Sequence, residues 1–167
     1  IGALAGDDHI VDLTQVEPGL PKEMLGLLAG GGAAMALARA ALANAPDSAH
    51  LARAAVTLKA PIPRPGKIIC IGLNYRDHAA ESNLPLPDFP TVFAKYANVV
   101  VGPGEAIVLP KVTEQIDYEA EFAFVIGRTA KHVTEADALG YVAGYLPFND
   151  ISARDYQMRT SQWTMGK

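Results

Sequence analysis

Ile116-Asp117-Tyr118-Glu119-Ala120-Glu121-Phe122-Ala123-Phe124-Val125-Ile126 places two glutamates two residues apart in an otherwise apolar run rich in aromatic and β-branched residues. Such a run reads as a strand. Strand side chains alternate between two faces. Ala120, Phe122, Phe124 and Ile126 therefore share one face, expected to be core, while Glu119, Glu121, Ala123 and Val125 share the other. Two like charges about 7 Å apart on a half-buried strand repel each other and resist desolvation. A divalent cation bound between them removes both objections, and oxygen ligands of this kind suit Mg²⁺, Mn²⁺ or Ca²⁺. The competing reading is an exposed face carrying two solvated glutamates.

Outward from this strand the chain changes texture at a proline-rich connector, Pro61, Pro63 and Pro65-Gly66. From Lys67 onward it is strand-rich, with runs at Ile68 to Ile71, Val92 to Lys95, Asn98 to Val101, Ala106 to Leu109 and Val142 to Phe148. Before the connector, His9 to Leu13 reads as a short strand. Pro21 reads as the opening of a helix through about Leu28, with Gly30 as its stop. Ala33 to Ala45 reads as a second helix, ended by Pro46. Residues 1–60 are thus expected to form a small N-terminal α/β domain, and 67–167 a second, strand-rich domain. Thr134 and Ser152 each precede an aspartate by three residues, the pattern of a helix cap.

Composition narrows the function classes. Half of the 167 residues are hydrophobic and 19% are charged, as in a globular chain, with a net charge of −4. No basic stripe is present for nucleic acid or an anionic membrane. The longest uncharged run, Met24 to Ala38, is glycine-broken and too short to span a bilayer. No signal peptide is evident at the start. The single cysteine, Cys70, precludes an internal disulfide and points to a reducing cytoplasm. It lies in an apolar strand and reads as a small core residue rather than a nucleophile.

Three further groups carry candidate chemistry. His78 and Glu81 are three apart after the Ile68 strand, on one face if helical. A carboxylate beside an imidazole raises its basicity, as a general base requires; the plainer alternative is a surface pair. Asp150 ends an apolar strand, where it either completes a three-carboxylate set with Glu119 and Glu121 or caps the next helix. Arg154 and Gln157 share a face near the start of that helix, where they could orient an anionic substrate with help from the helix dipole, or simply face solvent.

The ordered set Ile71-Gly72-Leu73-Asn74-Tyr75-Arg76-Asp77-His78-Ala79-Ala80-Glu81, Phe93-Ala94-Lys95, Gly102-Pro103-Gly104 with Leu109-Pro110, Asp117-Tyr118-Glu119-Ala120-Glu121, Gly144-Tyr145, Asn149-Asp150-Ile151-Ser152-Ala153-Arg154-Asp155 with Gln157, and Gln162-Trp163 with Gly166-Lys167 resembles the fumarylacetoacetate hydrolase family. The resemblance is strong over about residues 67–167 and weaker before them. It implies an α+β fold, a mixed β-roll or sandwich catalytic domain behind the small N-terminal one. It also implies a divalent metal, Mg²⁺ or else Mn²⁺ or Ca²⁺, bound by Glu119, Glu121 and Asp150. His78 and Glu81 fall in a lid that activates water or moves a proton, and Arg154, Gln157 and catalytic Lys167 beside the substrate. The implied substrates are 2-oxo or 1,3-diketo acids that chelate the metal, and the implied assembly is a cytoplasmic homodimer.

The expected function is therefore hydrolysis of a C–C bond in an acylpyruvate-like or fumarylpyruvate-like diketo acid through a metal-bound enolate. The alternative is isomerisation or decarboxylation of a 2-oxo or 2-hydroxy-diene dicarboxylic acid in aromatic catabolism, since each passes through an enolate. The resemblance breaks off at Lys167 inside a family motif, before a Thr-Gly-Thr-Pro-like segment. The chain is accordingly expected to be a fragment, and a third reading is an inactive fragment that folds by association.

Overall fold

The computed structural model describes residues 1–167. Strands β1 (Gly2–Leu4), β2 (His9–Asp12) and β3 (His50–Ala52) form an antiparallel sheet in the order β1-β2-β3. Between β2 and β3 run helices α1 (Leu13–Val16), α2 (Met24–Ala29) and α3 (Gly31–Ala43). Asp12 ends β2 and starts α1 in one step, because its carboxylate accepts from the backbone N–H groups of Thr14 and Gln15 at 3.0 and 3.4 Å. In α3 the buried residues are Ala34, Ala38 and Ala41, spaced as one helical face. They pack with Val11, Leu13, Leu20, Leu27 and Ala49 into a core. The expected helix start at Pro21 is corrected: α2 begins at Met24. Pro21 instead lies against Gly26, where an added Cβ would stand 2.8 Å from the proline Cβ. Gly31, at φ +58°, turns α2 into α3, and this left-handed backbone favours glycine.

Beyond the connector, β4 (Ile68–Gly72) pairs antiparallel with β5 (Thr91–Lys95), and α4 (Arg76–Glu81) lies between them in sequence. β6 (Ile116–Asp117) follows, then β7 (Ala120–Ile126), α5 (Glu135–Ala138), β8 (Val142–Asn149), β9 (Ser152–Ala153) and α6 (Arg154–Gln157). Thr134 caps α5 as expected, its side chain accepting from the Asp137 N–H. The runs Asn98 to Val101 and Ala106 to Leu109 are not strands. The first contains a single 3₁₀ turn at Ala97–Val99 and the second has no regular structure, with Val108 88% exposed. Both are β-prone locally, but no strand pairs with them.

The run from Ile116 to Ile126 departs from expectation twice. It is not continuous: β6 pairs with β9, β7 pairs with β8, and the chain changes partners at Tyr118-Glu119. Its phenylalanine face is not core either. Phe122, Phe124 and Ile126 are 65%, 56% and 51% exposed, although Phe122 stacks on Tyr145 at 5.3 Å. Alternation separates the two faces correctly, but only packing decides which is covered. Here the glutamate face is the more enclosed one.

The chain divides into two compact units, Ile1–Ile62 with Phe122–Pro147, and Pro63–Glu121 with Phe148–Lys167. Every candidate site residue belongs to the second. No helix is long and apolar enough to cross a membrane.

Candidate active site

Asp150 leaves the end of β8 with its backbone N–H donating to the Glu119 carbonyl at 2.9 Å. This bond brings a strand terminus beside the partner-switching point of β6 and β7. The two carboxylates are joined by one cation: Lys167 Nζ donates to Glu119 Oε2 at 2.8 Å and to Asp150 Oδ2 at 3.0 Å. All three are well enclosed, with side chains 15%, 3% and 2% exposed. Lys167 reaches this point because Gly166 lies flush against α6. A Cβ on Gly166 would meet the Gln157 backbone N at 2.4 Å and the Ala153 carbonyl at 2.7 Å. The ammonium also lies 5.0 Å from the centre of the Phe93 ring, which Trp163 meets edge-on.

Arg154 completes the frame from the start of α6. Its Nε and Nη2 donate to Asp117 Oδ2 at 3.0 and 2.7 Å, and its Nη1 donates to Glu119 Oε1 and to Gln157 Oε1. The expectation that Arg154 and Gln157 orient a substrate through a helix dipole loses its second half. Helix α6 spans only four residues, and the guanidinium is already committed to two carboxylates. Nor does Asp150 cap that helix, and Ser152 lies in β9 rather than at a helix start. The Ser152 hydroxyl donates to Glu119 Oε1 at 3.2 Å and lies 3.1 Å from the Asp150 carbonyl.

His78 and Glu81 both lie on α4, three residues apart, with no hydrogen bond or ion pair between them. The helix is launched by Leu73 at φ +50°, a left-handed conformation rare for a branched residue. Cys70 is half-buried, and burial pushes its thiol up to about 11, which leaves it without the thiolate a nucleophile needs.

The charges are asymmetric. Burial resists ionisation of Glu119, but Lys167 and Arg154 outweigh it and hold the carboxyl below its ordinary value. Arg154 hydrogen bonding lowers Asp117 in the same way. Glu121 goes the other way: burial and then the charges of Glu119 and Asp150 raise it, while a hydrogen bond with Tyr75 opposes them. Four carboxylates, Asp117, Glu119, Glu121 and Asp150, face three cationic side chains, Lys95, Arg154 and Lys167. One negative charge is left over, and it falls on Glu121. No three acidic, histidine or cysteine groups converge on one point in this arrangement. The donor chemistry nevertheless fits a hard divalent cation: oxygen donors only, two of them 2.8 and 3.0 Å from a shared ammonium, and a third destabilised by the other two. Lys95 and Asp117 carry no role in the sequence reading. Their only signal there was membership of the motifs Phe93-Ala94-Lys95 and Asp117-Tyr118-Glu119-Ala120-Glu121.

The raised Glu121 yields a prediction. Its folded value lies above its unfolded one, so the stability it contributes is complete below the unfolded value near 4.5 and is lost as pH rises through the folded value. Glu119, with a lowered value, behaves oppositely, losing its contribution as pH falls through the folded value. In metal-free buffer Glu121→Gln is expected to gain on the wild type as pH rises from about 4 to 7, by roughly 0.5 kcal/mol after solvent screening. Urea titrations at both pH values measure this; a stability gap independent of pH would refute it.

A model of the fumarylacetoacetate hydrolase C-terminal domain matches residues 67–167. The chain belongs to the fumarylacetoacetate hydrolase family. Enzymes of this family are generally dependent on a divalent metal. A rat relative, the mitochondrial oxaloacetate tautomerase Fahd2a, is 44% identical over 159 residues, covering 95% of this chain and 50% of its own length. The fumarylacetoacetate hydrolase of Exiguobacterium antarcticum is 29% identical with a TM-score of 0.78, over 99% of this chain and 56% of that one. The 5-carboxymethyl-2-hydroxymuconate delta-isomerase of Mycobacterium smegmatis is 39% identical with a TM-score of 0.62, over 71% of this chain and 47% of that one. The chain thus spans about half the length of the curated relatives it matches. These likenesses support the α+β, family-type fold. The expectation of a cytoplasmic protein is corrected, because the rat relative is mitochondrial. A lone cysteine can form no internal disulfide in any compartment, so it does not single out the cytoplasm.

Proposed function

We propose that this chain carries the catalytic carboxylates of a metal-assisted tautomerase, which interconverts the keto and enol forms of a 2-oxo dicarboxylic acid such as oxaloacetate. The observation that carries an enolate chemistry is the Glu119–Lys167–Asp150 bridge, with Arg154 behind it. Similarity to an oxaloacetate tautomerase favours tautomerisation over bond cleavage. Glu119, Glu121 and Asp150 would hold Mg²⁺ or Mn²⁺, which would supply Lewis-acid stabilisation of developing negative charge.

The protein's own residues do the rest. Arg154, itself held by Gln157, fixes Glu119 so that it need not reorganise as charge develops. Lys167, enclosed beside Phe93, offers an ammonium to a substrate carboxylate or enolate oxygen. His78, with Glu81 on the same short helix, moves the proton between the substrate carbon and oxygen. A homodimer is part of this proposal, and light scattering tests it.

Hydrolysis of an acylpyruvate is the second reading, favoured by the likeness to the Exiguobacterium enzyme. The two differ in whether His78 returns its proton to the substrate or takes one from water. Enol-form oxaloacetate and an acylpyruvate, each followed with and without Mn²⁺, separate them. Mn²⁺-dependent loss of the enol absorbance with oxaloacetate recovered intact supports the tautomerase. Cleavage of the acylpyruvate into two acids, with no effect on the enol, would replace it with the hydrolase.

A further inference from the structure

Lys95 ends β5, and its side chain is 5% exposed. Its Nζ donates to Asp150 Oδ1 at 2.6 Å and to the Ile151 carbonyl at 3.1 Å. Asp150 is thus held twice: by this ammonium on Oδ1, and by its own backbone N–H bound to the Glu119 carbonyl. Its other oxygen, Oδ2, is the one presented to Lys167 and the Glu119 side. A buried ion pair of this kind is poor evidence of stabilisation, since desolvation cancels most of its attraction. A second contact to the neighbouring carbonyl fixes direction as well as charge. The Phe93 ring on the same strand face meets Trp163 and lies beneath Lys167, so β5 carries the floor of the site.

We infer that Lys95 is a positioning residue: it locks the Asp150 carboxylate with one oxygen turned away and one presented, so that Asp150 and Glu119 offer a preset oxygen pair to a divalent cation. The inference rests on the proposed function, because it needs Asp150 to be a metal ligand. Partners that orient a ligating carboxylate typically change metal affinity by about 10- to 100-fold when removed.

The test is a substrate-free calorimetric titration with Mn²⁺ on the wild-type chain and on Lys95→Met, beside thermal melts of each. The expected result is wild-type binding and a folded Lys95→Met that binds Mn²⁺ about 10- to 100-fold more weakly. A merely structural lysine would shift the melt and leave the affinity of the folded protein alone. Folded Lys95→Met with affinity within about twofold of wild type overturns the positioning role and leaves the proposed function standing. No Mn²⁺ binding by the wild type overturns the metal-assisted reading, and this inference with it. Lys95→Gln, which keeps a donor toward Asp150 without the charge, carries the same decision if Lys95→Met precipitates.

Discussion

Glu119→Gln is expected to cost about 10³-fold in kcat/KM for enol–keto interconversion, equivalent to about 4 kcal/mol of transition-state stabilisation. Two losses combine. The amide is a poor ligand for a hard cation, and it cannot balance the charges that converge on Glu119. Lys167 Nζ lies 2.8 Å from Oε2, and Arg154 Nη1 and the Ser152 hydroxyl share Oε1. Removing one partner from an enclosed ion pair leaves the others uncompensated, typically a cost of about 3–5 kcal/mol. Here that falls to roughly 2 kcal/mol, because Arg154 keeps Asp117 and is 29% exposed. Stopped-flow assays with Mn²⁺, paired with urea denaturation, measure both effects. A folded variant retaining wild-type turnover would remove Glu119 from the mechanism.

The second large effect is a split between rate and affinity. Lys167→Met should lower kcat by about 10²-fold or more, since a positioned charged donor contributes on that scale. The same variant should bind Mn²⁺ more tightly than the wild type. The ammonium hydrogen-bonds to one oxygen of each of two carboxylates that would ligate the cation, and two positive charges sharing those carboxylates would repel in a site only 2% exposed at the lysine. A structural role predicts that rate and affinity fall together. Calorimetry with Mn²⁺ and turnover measured on one preparation therefore separate a competing ammonium from a simple scaffold, and loss of both would show that Lys167 does not share the oxygens of the metal.

The contrast between these variants and Lys95→Met follows from where each lysine lies. Lys167 and Lys95 both bond Asp150, but through different oxygens. Lys167 bridges the two ligand carboxylates, so its removal frees an oxygen on each. Lys95 grips the oxygen turned away, so its removal frees the carboxylate to rotate. One deletion is expected to strengthen metal binding and the other to weaken it, although both remove a positive charge from the same aspartate.

Much of this protein was legible in the chain itself. Alternation in residues 116–126 separated the glutamate face from the phenylalanine face, because strand geometry is local. The short strand at His9, the two alanine- and leucine-bearing helices and the cap at Thr134 follow from propensity and capping, which act within a few residues. The ordered motifs carried the family resemblance, which the family match over residues 67–167 bears out.

Tertiary structure decided what depends on partners distant in sequence. It broke the long strand at Tyr118-Glu119, since β6 and β7 pair with different segments. It exposed the phenylalanine face, denied the β-prone runs at 98–101 and 106–109 a partner, and spent Arg154 on Asp117 and Glu119. It also found Lys95, 55 residues from the aspartate it holds. A sequence states which side chains can carry charge, but only the folded chain brings opposite charges within 3 Å of each other and out of water, and the electrostatics of the site come from that arrangement.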